Sequence, residues 1–155
     1  MMNDKIVRFK TLVWKFRETS FKYPDHSEIP KKKITSPKDF FELFQPLFKE
    51  EPSELFVVAW LSSSNRVVGF EKVTLGLLSS SLVDPRSVFR GAIIANCANI
   101  ILSHNHPSGN VEASQEDISI TKTLVEAGKI IGINIFDPII FAEDKFTSFV
   151  ERRLM

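Results

Sequence analysis

Two histidines one residue apart, His104 and His106, are followed by Pro107 and then by Ser114-x-x-Asp117. Residues i and i+2 of a strand share a face, so both imidazoles point the same way and can reach one ion. Ser114 stands where a helix N-cap belongs, and Asp117 falls at the third helical position. A carboxylate on that first turn faces back toward the loop. His104, His106 and one oxygen of Asp117 are therefore expected to converge, leaving the fourth corner of a tetrahedron to water. That is the ligand set of a catalytic zinc site, and Zn2+ is the expected cofactor. Each half has a plainer reading on its own. Strand-end histidines often only hydrogen-bond, and Ser-x-x-Asp is an ordinary cap. Their succession in one short span, with a Pro-Gly turn between them, singles out a metal site.

The elements that must position these groups can be read around them. Ile100, Ile101 and Leu102 form an apolar run, expected to be a buried strand, and Pro107, Ser108, Gly109 and Asn110 are a dense turn signal. Residues 114–129 have a helical pattern with Ile118, Ile120, Thr121, Leu124, Val125 and Ala127 inward, ended by Gly128 and Gly132. Upstream, Ser36 caps a helix with Pro37 at its first position. Phe40, Phe41, Leu43, Phe44, Leu47 and Phe48 give it an apolar stripe that belongs against a sheet, and Glu50, Glu51 and Pro52 end it. A strand follows over residues 54–61, then a hairpin loop at 62–65 and a return strand over 66–74. A metal-activated water needs a base that is not itself a ligand, and Glu54 and Glu71 on this hairpin are the two candidates. Spacing alone does not choose between them. Ser79, Ser80 and Ser81 make a polar loop. Asp84 caps a helix whose buried side carries Val88, Phe89, Ala92, Ile93 and Cys97. Residues 131–135 and 138–141 read as two short strand segments, and 146–154 as a closing helix or turn.

At 155 residues, the length suits one domain with a sizeable core. Residues 1–33 read as a basic N-terminal extension, and 34–155 as the domain proper. The first 35 residues hold nine Lys/Arg against four Asp/Glu, and the remainder 11 against 15. Residues 5–16 alternate in a strand-like way. This stretch suits a nucleic-acid or acidic partner, or an edge strand guarded by lysines; the modest charge favours the second. A single cysteine, Cys97, excludes a disulfide framework and fits a reducing cytosol. It also excludes a deaminase-type site, which needs Pro-Cys-x-x-Cys. No apolar run is long enough to span a membrane, and residues 1–10 have no signal-peptide core, so the expected location is cytoplasmic.

His104-x-His106-Pro107 with Ser114-x-x-Asp117 resembles the motif of the JAMM (MPN-domain) metalloproteases. The wording His-Asn-His-Pro-Ser-Gly-Asn, with Val83-Asp84-Pro85-Arg86 before it and Glu151-Arg152-x-Leu154 at the end, is similar to the RadC branch of that superfamily. The resemblance covers about residues 34–155. It implies an α/β fold, a mixed, curved β-sheet flanked by helices, of cytidine-deaminase-like architecture. It implies zinc-dependent hydrolysis of an amide or isopeptide bond in a peptide substrate. It selects Glu54 as the general base, with Glu71 as the fallback, and gives Ser114 the role of oxyanion donor. Two positions depart from the pattern: Ala113 stands where proline is usual, and Pro138 follows Asp137 where histidine often does. The alternatives are a DNA-associated repair accessory or metal-dependent nuclease, supported locally by the basic N-terminal stretch alone, and a non-catalytic metal-binding interaction module.

Overall fold

The seven residues Leu55–Leu61 are all buried, and they form the strand (β1) on which two cores are built. The structure is a computed structural model, and it describes residues 10–24, 32–49, 51–76 and 83–155. Alternation along β1 sends Leu55, Val57, Ala59 and Leu61 to one face and Phe56, Val58 and Trp60 to the other. On the first face they meet Phe40, Phe41, Phe44 and Phe48 of helix α1 (Pro37–Phe48). On the second they meet Val88, Phe89 and Ala92 of α2 (Pro85–Ile94), and Ile120 and Leu124 of α3 (Gln115–Ile131). A strand buried on both faces reads as a continuous apolar run, as this one does.

The remaining strands are β2 (Val67–Leu75), β3 (Asn99–Asn105), β4 (Asn134–Ala142) and β5 (Lys145–Ser148). They assemble in the order β2-β1-β3-β4-β5. Only β3 and β4 run parallel, joined by the α3 crossover; the other pairs are antiparallel. The fold is thus a mixed five-stranded sheet with one helix on one face and two on the other. Local chemistry sets the helix starts as the sequence predicts. Ser36 and Asp39 form a capping box at α1, Asp84 accepts from the Arg86 and Ser87 backbone N–H groups at α2, and Ser114 and Asp117 form a second box at α3.

Several sequence expectations are corrected. Residues 10–16 form no strand, and residues 5–9 of that pattern lie outside the described residues. Alternation supplies two faces but not a ladder partner: along the outer edge of β2, the described residues show one isolated bridge, Lys33 to Arg66. Leu12, Val13 and Phe16 are exposed, with Phe16 edge-on to Trp60 at 6.0 Å. The two late segments merge into the single strand β4. A register shift between Ile100 and Leu102 accommodates Pro138, which has no N–H to give to the ladder. Residues 145–148 form β5, so only the last part of the predicted closing segment is a turn. Ile93 is exposed, because the α2 stripe follows Val88, Phe89 and Ala92 and leaves it one step round the helix. Gly128 is interior to α3, where a Cβ would lie 2.5 Å from the Ile133 carbonyl oxygen; the left-handed Gly132 is the cap. The serine loop at 79–81 lies outside the described residues.

Candidate metal centre

His104 lies in the last turn of pleat of β3, and His106 follows the strand, still held in line by its N–H donating to the Phe141 carbonyl at 2.8 Å. The two rings therefore share a face, with Nε2 atoms 3.1 Å apart. Asp117 comes down on them from α3. Its Oδ1 is 3.3 Å from His104 Nε2 and its Oδ2 is 3.6 Å from His106 Nε2. Tetrahedral bonds of 2.0–2.1 Å to one ion set ligand atoms about 3.3 Å apart. The three separations bracket that value, so the donor set fits a zinc-sized cation, and His104, His106 and Asp117 could hold one. Among the described residues, no other group of three such side chains comes this close together.

Each ligand is oriented by its own surroundings. His106 Nδ1 donates to the Asn110 carbonyl at 2.7 Å, which fixes the ring and turns Nε2 toward the site. Gly109, with φ of +78°, makes the left-handed step that brings Asn110 back over the ring. The His104 ring stacks on Phe56. Asp117 is aimed by its capping box: Ser114 N–H and Ser114 Oγ donate to Asp117 Oδ2 at 2.8 and 2.7 Å, and Asp117 N–H donates back to Ser114 Oγ at 3.0 Å. Burial pushes the Asp117 carboxyl up, but the hydrogen bonds from His104 and His106 outweigh it and hold the group far below the ordinary carboxylate range. The Asp117 bond in turn raises His106 above the ordinary imidazole value, against the opposing effect of burial. One carboxylate is thus set against two imidazoles at the strand end.

A cleft of about 360 Å³ opens beside the triad, lined by Glu54, His106, Ser108, Ser114, Glu116 and Asp117 among others. Glu54, immediately before β1, is half-buried there and its charge reaches His106. Glu71 is elsewhere: it sits on β2 in an ion pair with Arg90 of α2 and lines no part of this cleft. Ser114 lines the cleft, yet its one proton goes to Asp117. Ala113 is also in the cleft wall, and Pro138 lines a small hollow behind His104 and Asp117. Asp137 is buried and structural, accepting from Ser148 Oγ at 2.5 Å and Val150 N–H at 3.1 Å; burial pushes its carboxyl up despite those bonds.

The residue that sequence reasoning missed is Asn105. Among the described residues, its side chain bonds to backbone around Glu54: Oδ1 accepts from Leu55 N–H at 2.7 Å, and Nδ2 donates to the Ser53 and Glu51 carbonyls at 3.0 and 3.2 Å. The one available signal was its place between the histidines, which puts it on the opposite face of β3.

A mixed sheet covered on both faces, with a His-His-Asp triad where the central strand meets a capped helix, defines a domain of the JAB/MPN class. Within that class, the family model described as "RadC-like JAB domain" matches residues 34–154, and the chain belongs to that family. It is similar to a "UPF0758 protein" of Methanosarcina mazei, 43% identical over 121 residues, covering 78% of this chain and 53% of the relative. A "UPF0758 protein" of Salinibacter ruber is 45% identical over 119 residues, covering 77% and 51%. One from Clostridium beijerinckii is 46% identical over 123 residues, covering 79% and 54%. The chain spans about half the length of these relatives.

Proposed function

We propose that this domain is a zinc-dependent hydrolase that cleaves an amide or isopeptide bond in a peptide substrate. The observation that carries the reading is the placing of Glu54, a non-ligand carboxylate, in the open cleft beside His104, His106 and Asp117. Two imidazoles and a carboxylate suit zinc, which when bound there lowers the pKa of its water toward neutrality and polarises a carbonyl. Glu54 takes the proton of the attacking water and hands it to the leaving amine. Asp117 stays ionised throughout, and the Asn110 carbonyl keeps His106 in the productive tautomer. Ser114 serves as oxyanion donor once its hydroxyl turns from Asp117 to the cleft; its exposure leaves room for that turn. The open cleft favours turnover over a closed interaction module.

Glu112 and Glu116 add carboxylates to the cleft beside Glu54, a lining that repels a phosphate backbone and weighs against the nuclease reading. We place the activity in the cytoplasm, where the buried Cys97 stays a thiol. Among the described residues, no helix is long and apolar enough to cross a membrane. The test is Glu54→Gln in a screen of peptide and isopeptide substrates. Turnover should vanish while one equivalent of zinc is retained. Undiminished turnover would remove Glu54 from the mechanism.

A further inference from the structure

We propose that Asn105 is a positioning residue for Glu54, so that the tripeptide His104-Asn105-His106 fixes the metal ligands and the base as one unit. The inference rests on the metallohydrolase reading above and concerns how its base is held.

Strand alternation turns Asn105 away from the two histidines. On that side it is buried, and its amide is spent on the segment joining α1 to β1. Antiparallel pairing puts Phe56 opposite His104, and the β1–β3 ladder ends there. Leu55 would be the next rung, and the Asn105 side chain supplies it: Oδ1 accepts from Leu55 N–H. Nδ2 continues along the same segment to the Ser53 and Glu51 carbonyls. From the other side, Gly76 N–H donates to the Glu54 carbonyl at 2.8 Å. The peptide unit between Glu54 and Leu55 is thus gripped at both its carbonyl and its N–H, and Glu54 lines the cleft with His106 and Asp117. The chemistry asks for asparagine. It needs one acceptor and two donors on a short stem, whereas aspartate keeps the acceptor and sets a negative oxygen against two carbonyls.

Cobalt(II) is the probe, since its visible absorption reports the surroundings of the open coordination position. Parent, Glu54→Gln, Asn105→Ala, Asn105→Asp and the double variant Glu54→Gln/Asn105→Ala are loaded and compared, with amide exchange at Leu55 followed by NMR. Asn105→Ala should bind one equivalent of cobalt, with affinity weakened by less than the roughly tenfold that marks lost ligand support. Its spectrum should leave the parent's and coincide with that of Glu54→Gln, and the double variant should add nothing. Leu55 exchange should quicken by about tenfold or more as its partner is lost. Asn105→Asp should fall between parent and alanine, and it decides by the same comparison if the alanine variant does not fold. An Asn105→Ala spectrum that superimposes on the parent's while that of Glu54→Gln differs would overturn the inference and leave the hydrolase reading standing. A Glu54→Gln spectrum that also superimposes on the parent's would likewise overturn the inference, and no cobalt bound by the parent would overturn both.

Discussion

Asp117 does two jobs with one carboxylate. Oδ2 closes the first turn of α3 as half of a capping box, and both oxygens face the two imidazoles. The bonds that aim it come from Ser114, so Ser114→Ala should strike twice. Metal affinity should fall about 10- to 100-fold, as is usual when a ligand's orienting partner is lost, measured by competition with a chelating dye. Stability should fall by about 1 kcal/mol for the lost cap. Unchanged metal affinity would show that the helix alone aims Asp117. At this scale much was legible in the sequence. The His-x-His pair and the Ser-x-x-Asp box are local patterns, and the strand and helix that carry them are local too. The proposed base is not local: spacing does not choose between Glu54 and Glu71, and the fold separates them by pairing Glu71 with Arg90 across β2 and α2 while Glu54 lines the cleft. Asn105 is not local either, because its partners are 50 or more residues away.

Each of the three helices is started by a side-chain cap, and the cap of α1 carries a pH signature. The Thr35 hydroxyl, donating to Asp39 Oδ2 at 2.6 Å, outweighs the opposing effect of burial and holds the Asp39 carboxyl below its ordinary value. The folded state therefore gives up this proton more readily than the unfolded chain. The resulting stability is full above the unfolded carboxylate value of about 3.9 and is lost as pH falls through the lower folded value. Asp39→Asn should melt below the parent at neutral pH, with the gap closing in acid; an undiminished gap at about pH 2 would contradict this. Packing makes a larger claim. Leu124 of α3 is fully buried in the core that α2 and α3 share with the sheet, and Leu124→Ala should cost about 2–5 kcal/mol in chemical denaturation. A loss under 1 kcal/mol (roughly) would mean that α3 is not pinned to the sheet as described. The helices were legible from their caps and stripes. The continuity of β4 was not, because a bulge that admits Pro138 is a property of the β3–β4 pair and not of either sequence segment.

Across the whole molecule, the division between extension and domain is less sharp in space than in charge. Phe21 packs on Phe44 and Phe70 at 5.6 and 5.4 Å, and the Tyr23 hydroxyl donates to the Leu43 carbonyl at 2.7 Å. Phe21→Ala should lower stability by about 1–2 kcal/mol for this half-buried ring, measured in denaturant, and leave metal binding unchanged. No loss of stability would make the segment a passive tail. These contacts escaped the sequence, where residues 1–33 stand out by charge and by the strand-like alternation of residues 5–16. The metal centre, by contrast, sits at the opposite end of that logic: sheet, crossover helix and turn all meet at His104, His106 and Asp117, and the cleft beside them is rich in carboxylates. The first measurement is metal content on protein purified with neither added metal nor chelator, for the parent and for His106→Ala. One equivalent of zinc in the parent, lost in the variant, is the expected result. No metal in either protein, even after zinc is supplied, would mean that the triad is only a hydrogen-bonded cap over a strand end.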